Sequence, residues 1–405
     1  MLTKNIEELL NIGIALSSVH DLDKLLDMIL SEAQKLTSAD SGSIYLVEGD
    51  KLIFKTSRSN TYFKRWGEKK TREIFKSFEM PITKQSIAGY VALTCRPLNI
   101  HDVQTIPQDF EFHYNPTLDK KYDYKTVSML VIPMLNRAGN IIGILQLINS
   151  LSDGKIVPFT DEHEKITTSF SSQAAVAIQN AKLTEDLKSA HFDTIFRLSA
   201  AAEYRDKETG NHIKRVSHYS KIIAEKMGLS AEETELIFWA APMHDIGKLG
   251  IPDAILQKPG KLTPEERTVM EQHTVIGAMV LKDTTADVLK KSRIVALTHH
   301  EKVDGTGYPL KLKGNEIPIE GKIIALADVY DALSSKRCYK EPFCEEKVIS
   351  ILKEGSGTHF DEKILDVFLS SINEINTIRE KYSDKEEDFD KFADIKNINI
   401  SELLK

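Results

Sequence analysis

The chain has 405 residues, a formal charge of -7 at pH 7, and 41% hydrophobic and 28% charged residues. This is the composition of an ordinary globular protein with room for two domains or more. The acidic balance argues against binding along a DNA or RNA duplex, which requires a basic face. Since no apolar run approaches the roughly 18 residues of a membrane span, we expect no membrane insertion.

The amino-terminal residues and the cysteines indicate the compartment. The segment MLTKNIEELLNIG lacks the basic start and the apolar stretch of a signal peptide. Cys95, Cys338 and Cys344 have neither the spacing of a metal site nor the even number that disulfide pairing needs. We therefore expect a cytoplasmic protein.

The first 160 residues change from helical to strand periodicity. Apolar residues recurring every three or four positions predict a short helix over 2–16 and a second helix over 22–36, with Asp21 as its cap. A further helix starts near Gln85 and is followed by a short strand at Leu98–Ile100. Alternating segments predict two hairpins, 41–47 with 51–56 and 128–136 with 140–149. Together they predict an α+β domain, an antiparallel sheet with helices on one side.

Three segments of this domain resemble a GAF domain, over roughly residues 5–180. They are the opening at 39–44 (ADSGSI), SIAGYVA at 86–92 and PLNI at 97–100, followed by the paired final strands. A PAS-like or other ligand-sensing α+β domain remains the alternative. We assign residues 1–160 to this sensor domain, and the resemblance implies a small ligand of unknown identity.

The next segment, residues 161–189, is predicted to be a connecting helix that continues to about Tyr204. Its narrow apolar stripe consists of Ile166, Phe170, Ala174, Ala177 and Ala181. The stripe fits two interpretations, packing on the sheet of its own chain or pairing with a second subunit. We expect a homodimer built along this helix and the first domain.

Residue types that bind metals recur in the following 190–375 segment, which is largely helical in pattern. His244 and Asp245 follow the apolar run LIFWAA on a predicted helix, where a polar pair is costly to bury without compensation. Nitrogen and oxygen ligands without thiolate favour iron, manganese or a catalytic zinc. The candidate ligands are Glu208, His212, His244, Asp245, His273, His299, His300 and Asp328.

The order H…HD…H…HH…D resembles the HD-domain phosphohydrolases. DGTGYP at 304–309 and the segment 252–266 further resemble the HD-GYP family, over about residues 190–365. This resemblance implies an all-α domain that hydrolyses cyclic di-GMP to the linear dinucleotide and possibly GMP. The alternatives are another HD-type nucleotide phosphohydrolase and an inactive module that binds nucleotides or partners. Residues 376–405 are predicted to be a helical or solvated tail.

Two or three divalent metals per chain are expected, with iron favoured and manganese possible. Asp245 would bridge them and help to activate a water, while Lys248 would neutralise phosphoryl charge. Glu208, one turn from His212, would make a third metal possible, and Asp331 would orient a ligand histidine. Residues expected to contact the substrate are Lys248, Gly307, Tyr308, Asp331, Arg337, Lys340 and Arg215.

Overall fold

The computed structural model describes residues 11–19, 21–205, 210–335 and 342–384. The chain divides into two compact units, Met1–Lys188 and Ser189–Lys405. The predicted boundary between the connecting helix and the second domain lies next to the division between these units. Among the described helices, none combines the length and the apolar composition that crossing a membrane requires.

The first unit is built on a seven-stranded sheet. The strands are β1 Ala39–Glu48, β2 Lys51–Ser59, β3 Glu79–Pro81, β4 Leu98–Ile100, β5 Met129–Leu135, β6 Ile141–Ser152 and β7 Lys155–Val157. Their order is β3-β2-β1-β6-β5-β4, β7 pairs with β6, and these strand pairs are all antiparallel. Both predicted hairpins are confirmed, and the pairing of β1 with β6 joins them into one sheet.

Helices surround this sheet. The predicted second helix begins after Asp21, whose carboxylate accepts a hydrogen bond from the Lys24 backbone N–H at 2.9 Å. The helix predicted near Gln85 begins one residue after Ser86, its capping residue. Most of the predicted first helix lies outside the described residues. The part that the structure describes is helical over residues 11–17. The other helices are Leu22–Thr37, Asn60–Trp66, Glu68–Ile74, Ile87–Thr94, Thr117–Tyr122 and the 3₁₀ turn Val103–Thr105.

The prediction that helices cover one side of the sheet is wrong. The helix Leu22–Thr37 packs with Leu145 in one core, whereas the helix Ile87–Thr94 packs with Val131 and Ile144 in another. Successive strand residues point to opposite faces, so Ile144 and Leu145 mark the two sides. The central strands are apolar on both faces, and both faces therefore require a cover.

The helix Asp161–Tyr204 contains 44 residues and settles the two interpretations of its apolar stripe. Phe170, Ala174, Ala177 and Ala181 are buried in the core of the first unit, and Ile166 is partly exposed. This stripe therefore packs on the sheet of its own chain and does not face a second subunit.

The second unit contains no strand among residues 189–205, 210–335 and 342–384, which confirms the all-α prediction. Its helices are Gly210–Lys226, Ala231–Ala240, Asp253–Leu256, Pro264–Glu271, His273–Val280, Asp287–Thr298, Ile319–Ser334, Glu345–Glu354, Glu362–Ser370 and Ile372–Lys381, with 3₁₀ turns at Ala241–Met243, Ile246–Gly250 and Gly314–Glu316. Tyr219, Tyr330 and Phe368 are its largest fully buried side chains. Tyr219 and Tyr330 meet edge to face at 5.3 Å and hold the helices Gly210–Lys226 and Ile319–Ser334 together.

Removal of the Phe170 ring should destabilise the first unit, because a buried Phe→Ala change costs about 3–5 kcal/mol. Leu183→Ala on the same helix should change the free energy of unfolding by less than about 0.5 kcal/mol, since this side chain is exposed. Urea unfolding at low protein concentration, followed by Trp66 fluorescence in a Trp239→Phe background, measures both. Equal effects of the two substitutions would contradict the packing described here.

Candidate metal centre

The structure brings together every predicted metal ligand that lies among the described residues. Three overlapping groups have donor atoms within 4.8 Å of one another. They are Asp245 with His273, His299 and His300; His212 with His244 and Asp328; and Glu203 with His244 and Asp245. Glu208 lies outside the described residues. Glu203, which the sequence did not suggest, lies near the end of the helix Asp161–Tyr204.

The sequence predicted that the His244–Asp245 pair lies on an α-helix, and this prediction is wrong. The pair lies between two 3₁₀ turns, Ala241–Met243 and Ile246–Gly250. Pro242 occupies the start of the first turn, where its missing N–H is harmless. A Cβ at Gly247 would lie 1.8 Å from the His273 carbonyl oxygen, so only glycine fits this close backbone approach. The tight path brings the pair against His273.

Each of four imidazoles has its Nδ1 atom in a hydrogen bond on the outer side of the cluster. A backbone carbonyl can only accept, so Nδ1 carries a proton in three cases, and Nε2 presents a lone pair wherever the ring is neutral. The contacts are His244 to Ala241 O at 2.8 Å, His273 to Met270 O at 2.7 Å, His299 to Val295 O and Ala296 O at 3.1 Å, and His212 to Asp331 Oδ2 at 2.8 Å.

These Nε2 atoms converge on two carboxylates. The Nε2 atoms of His273 and His299 lie 3.2 and 3.3 Å from Asp245 Oδ1. The Nε2 atom of His212 lies 3.6 Å from Asp328 Oδ1. An Nε2 lone pair and a carboxylate oxygen that face each other repel unless a cation lies between them. Among the described residues, the buried atoms His244 Nε2 and Asp245 Oδ1 have no hydrogen-bonding partner, and the donor set therefore fits a divalent metal.

The electrostatics of the cluster agree with ligation. Burial opposes ionisation of Asp245, but Lys248 and the surrounding histidines outweigh it and hold its pKa well below the usual range. Burial lowers the pKa of His299. Burial and the neighbouring His299 also lower the pKa of His300, so both rings remain neutral. For His273 burial is again opposed, because the Asp245 carboxylate beside its Nε2 atom raises the pKa, so protons and metal compete for this nitrogen.

The segment 301–312 forms a loop beside the cluster. The Tyr308 ring stacks on the His300 imidazole with centroids 4.7 Å apart. Gly307 was expected to let the backbone approach a ligand. It packs closely against its own loop, where a Cβ would lie 2.5 Å from Glu301 Cα. Buried Glu301 accepts backbone hydrogen bonds from three consecutive residues, Leu310, Lys311 and Leu312, at 2.7–3.1 Å.

Lys248 lies where the sequence predicted it, with Nζ 2.8 Å from Asp245 Oδ2 and 3.3 Å from Glu203 Oε2. Arg215 and Asp331 require a correction. They are 2% and 1% exposed and form a buried ion pair, so neither offers a surface to the substrate. The Asp331 contact with His212 is the arrangement that the other predicted role, orientation of a ligand histidine, requires. Arg337 and Lys340 lie outside the described residues.

Comparison with known families agrees with this architecture. Residues 21–178 match the GAF domain family, and residues 197–364 match the HD domain family. The chain therefore combines a GAF domain with an HD domain that follows it.

Curated relatives match about half of this chain. A cyclic di-GMP phosphodiesterase from Vibrio cholerae serotype O1 is 48% identical over 198 residues, which are 46% of this chain and 40% of that protein. A cyclic di-GMP phosphodiesterase from Thermotoga maritima is 44% identical over 195 residues, 48% of this chain and 53% of its own length. The 3'3'-cGAMP-specific phosphodiesterase 2 of Vibrio cholerae is 39% identical over 209 residues, 52% of this chain and 40% of that protein. The chain spans about half the length of these relatives or less.

Proposed function

We propose that the HD domain holds divalent metals and hydrolyses the phosphodiester bonds of a cyclic dinucleotide. The observation that carries this proposal is the convergence of imidazole Nε2 atoms on the Asp245 and Asp328 carboxylates. Bound metals would supply an activated water and would neutralise charge on the phosphoryl group. Asp245 offers one oxygen towards His273 and His299 and the other towards His244, which suits a bridging carboxylate.

The chain's own residues contribute further to this chemistry. The Lys248 ammonium, held by two buried carboxylates, places a positive charge beside Asp245, where it can face a phosphoryl oxygen. The Tyr308 ring is held by its stack on His300 at the side of the cluster. Gly307, Arg337 and Lys340 stay predictions of substrate contact, of which Gly307 has the least support because of its packing against Glu301.

Cyclic di-GMP is the substrate we propose, with the linear dinucleotide and possibly GMP as products. Two of the relatives above are named for this activity, and the GYP segment at 307–309 resembles the same family. A third relative is named for 3'3'-cGAMP, which makes this molecule the second candidate. Initial hydrolysis rates for both compounds, with a nucleoside triphosphate and guanosine tetraphosphate as further substrates, separate these possibilities. A metal-loaded protein that hydrolyses none of them would instead favour an inactive binding module.

Asp245→Ala should abolish hydrolysis of cyclic di-GMP and remove bound metal. Loss of an outer partner of a ligand typically weakens metal binding by 10–100-fold, so loss of this shared ligand should exceed about 100-fold. Metal analysis of anaerobically purified protein, hydrolysis rates and circular dichroism together test this. Asp287→Ala is the matched control, because this exposed carboxylate lies on the helix that precedes His299. A metal-loaded Asp245→Ala protein with normal turnover would contradict the proposed mechanism.

We further propose three metals per chain, with iron favoured and manganese possible. Two donor groups surround Asp245 and Asp328, and a third position needs an additional anionic ligand to offset repulsion between dications. Glu208 is the ligand proposed from the sequence, and the Glu203 group is the alternative within the described residues. Glu208→Ala should reduce the metal content from about three to about two per chain on anaerobic loading.

Glu203→Ala is the competing variant in this measurement. If it lowers the metal content while Glu208→Ala does not, Glu203 holds the third metal. A wild-type protein that never exceeds two metals per chain in excess iron would contradict the three-metal proposal.

The first unit contains a cavity of about 220 Å³ that suits the small ligand we propose for the GAF domain. Ser57, Ser43 and Gln146 are paired in register across β2, β1 and β6 and line its floor. Within the described residues, no side chain or backbone group hydrogen-bonds to these three side chains. Tyr62 and Phe75 stack on each other at its wall. The cavity is smaller than the usual range of ligand pockets, about 300–1,000 Å³, so its ligand should be small. A flat ring with a polar edge fits these features.

A homodimer is also proposed, on a face of the helix Asp161–Tyr204 different from the buried stripe. Leu183 and Leu187 are 56% and 57% exposed and lie one turn apart, which suits pairing with the same helix of a second copy. Leu187→Asp should therefore convert dimers to monomers in light scattering, whereas Lys188→Asp should not. A monomeric wild-type protein at tens of micromolar would contradict the homodimer.

We also propose a cytoplasmic location, which the exposed thiols of Cys95 and Cys344 support.

A further inference from the structure

Arg215 anchors residues 382–384, the last that the structure describes, beside the candidate metal centre. The guanidinium donates from Nη1 to the Tyr382 carbonyl oxygen at 2.9 Å and to Asp384 Oδ2 at 2.8 Å. The side chains of Arg215 and Asp384 are 3% and 5% exposed. The sequence predicted a helical or solvated tail over residues 376–405. The helix Ile372–Lys381 covers the start of this range, and the Asp384 carboxylate is buried.

The opposite side of the same guanidinium holds a carboxylate that contacts a candidate ligand. Arg215 donates from Nε to Asp331 Oδ1 at 2.6 Å and from Nη2 to Asp331 Oδ2 at 2.9 Å. Asp331 Oδ2 lies 2.8 Å from His212 Nδ1, and the pKa of this carboxyl lies below its usual range because the nearby Arg215 charge outweighs burial. A continuous row of buried contacts therefore connects Asp384 through Arg215 and Asp331 to His212.

A second contact fixes the same terminal segment independently. The Tyr382 ring stacks on the His218 imidazole with centroids 5.2 Å apart and planes within 17°. Its hydroxyl lies 3.2 Å from His218 Nε2. His212, Arg215 and His218 belong to one helix, Gly210–Lys226, so the terminal segment is attached to the element that carries the ligand.

We infer that residues 382–384 are a positioning element for His212, and that Asp384 is a positioning residue for metal binding. Asp384 balances one side of a guanidinium whose other side must hold Asp331 in a fixed geometry. Without this carboxylate, Nη1 retains the neutral Tyr382 carbonyl oxygen as its partner, and the guanidinium is held less firmly against Asp331. The anchor lies beyond residues 197–364, which match the HD domain family, so a fragment cut at that boundary would lack it.

Asp384→Asn in the full chain tests this inference, which rests on the proposed metal centre. Mn²⁺ binding measured calorimetrically should show one site weakened by about 10-fold, the lower end of the range for direct partners of ligand histidines, because Asp384 acts through Arg215 and Asp331. The d–d absorption of the Co²⁺-loaded protein should change in the same variant, because the His212 ring no longer has a fixed orientation. Asp384→Glu should restore much of the affinity, since it retains the carboxylate.

Asn376→Ala is the matched control. Asn376 lies on the last described helix, Ile372–Lys381, and bonds to Tyr330 and Glu345 without contacting Arg215. It should lower thermal stability without changing the Mn²⁺ affinity or the Co²⁺ spectrum. Metal binding of Asp384→Asn within twofold of the wild type, with an unchanged spectrum, would overturn the inference. A wild-type protein that binds no Mn²⁺ or Co²⁺ would instead overturn the proposed metal centre itself.

Discussion

The repulsion between lone pairs at the centre of the second unit is the constraint on which the rest of this structure depends. Imidazole Nε2 atoms and carboxylate oxygens face one another at 3.2–3.6 Å around Asp245 and Asp328. His244, Asp245 and His299 are buried, whereas Asp328 is partly exposed, so bulk water reaches only part of this arrangement. Lys248 supplies positive charge beside Asp245, and bound cations would supply more. The surrounding helices fix the geometry in which such cations are held.

The protein supports this unfavourable centre with backbone contacts on its outer side. The carbonyl oxygens that accept the Nδ1 protons of His244, His273 and His299 belong to the same turns as the histidines themselves. The orientation of each ring is therefore set locally, by three- or four-residue spacing along the chain. His212 is the exception, because its partner Asp331 comes from the helix Ile319–Ser334. This is the reason that His212 depends on the packing of two helices and on residues 382–384.

Much of the fold and of the centre could be predicted from the sequence. Strand alternation located both hairpins, and the unusual placement of His273, His299 and Asp328 in apolar segments indicated a shared site. The sequence could not show that the His244–Asp245 pair lies between two 3₁₀ turns, because this path depends on the backbone contact between Gly247 and His273. It also could not show that helices cover both faces of the sheet, since an apolar strand does not reveal which element packs on it.

The residues that sequence reasoning missed or misplaced are those whose role depends on distant partners. Glu203 approaches His244 and Asp245 from a helix some 40 residues earlier in the chain. Arg215 resembles a cation available to a phosphate until its two buried carboxylates are known. A basic residue one turn after a candidate ligand is therefore ambiguous in sequence, and only its burial decides between substrate contact and internal support.

Glu301 has a consequence for the thermodynamics of ligand recognition. Its carboxylate gathers three successive backbone N–H groups and so fixes the course of residues 310–312, directly after Tyr308 and Pro309. The conformational entropy of this loop is thus lost when the domain folds, and not when a nucleotide arrives. Ordering a loop on association would subtract from affinity, so a loop already ordered leaves more of the contact energy for binding. Under the proposed function, Glu301 would therefore contribute to substrate binding without contacting the substrate.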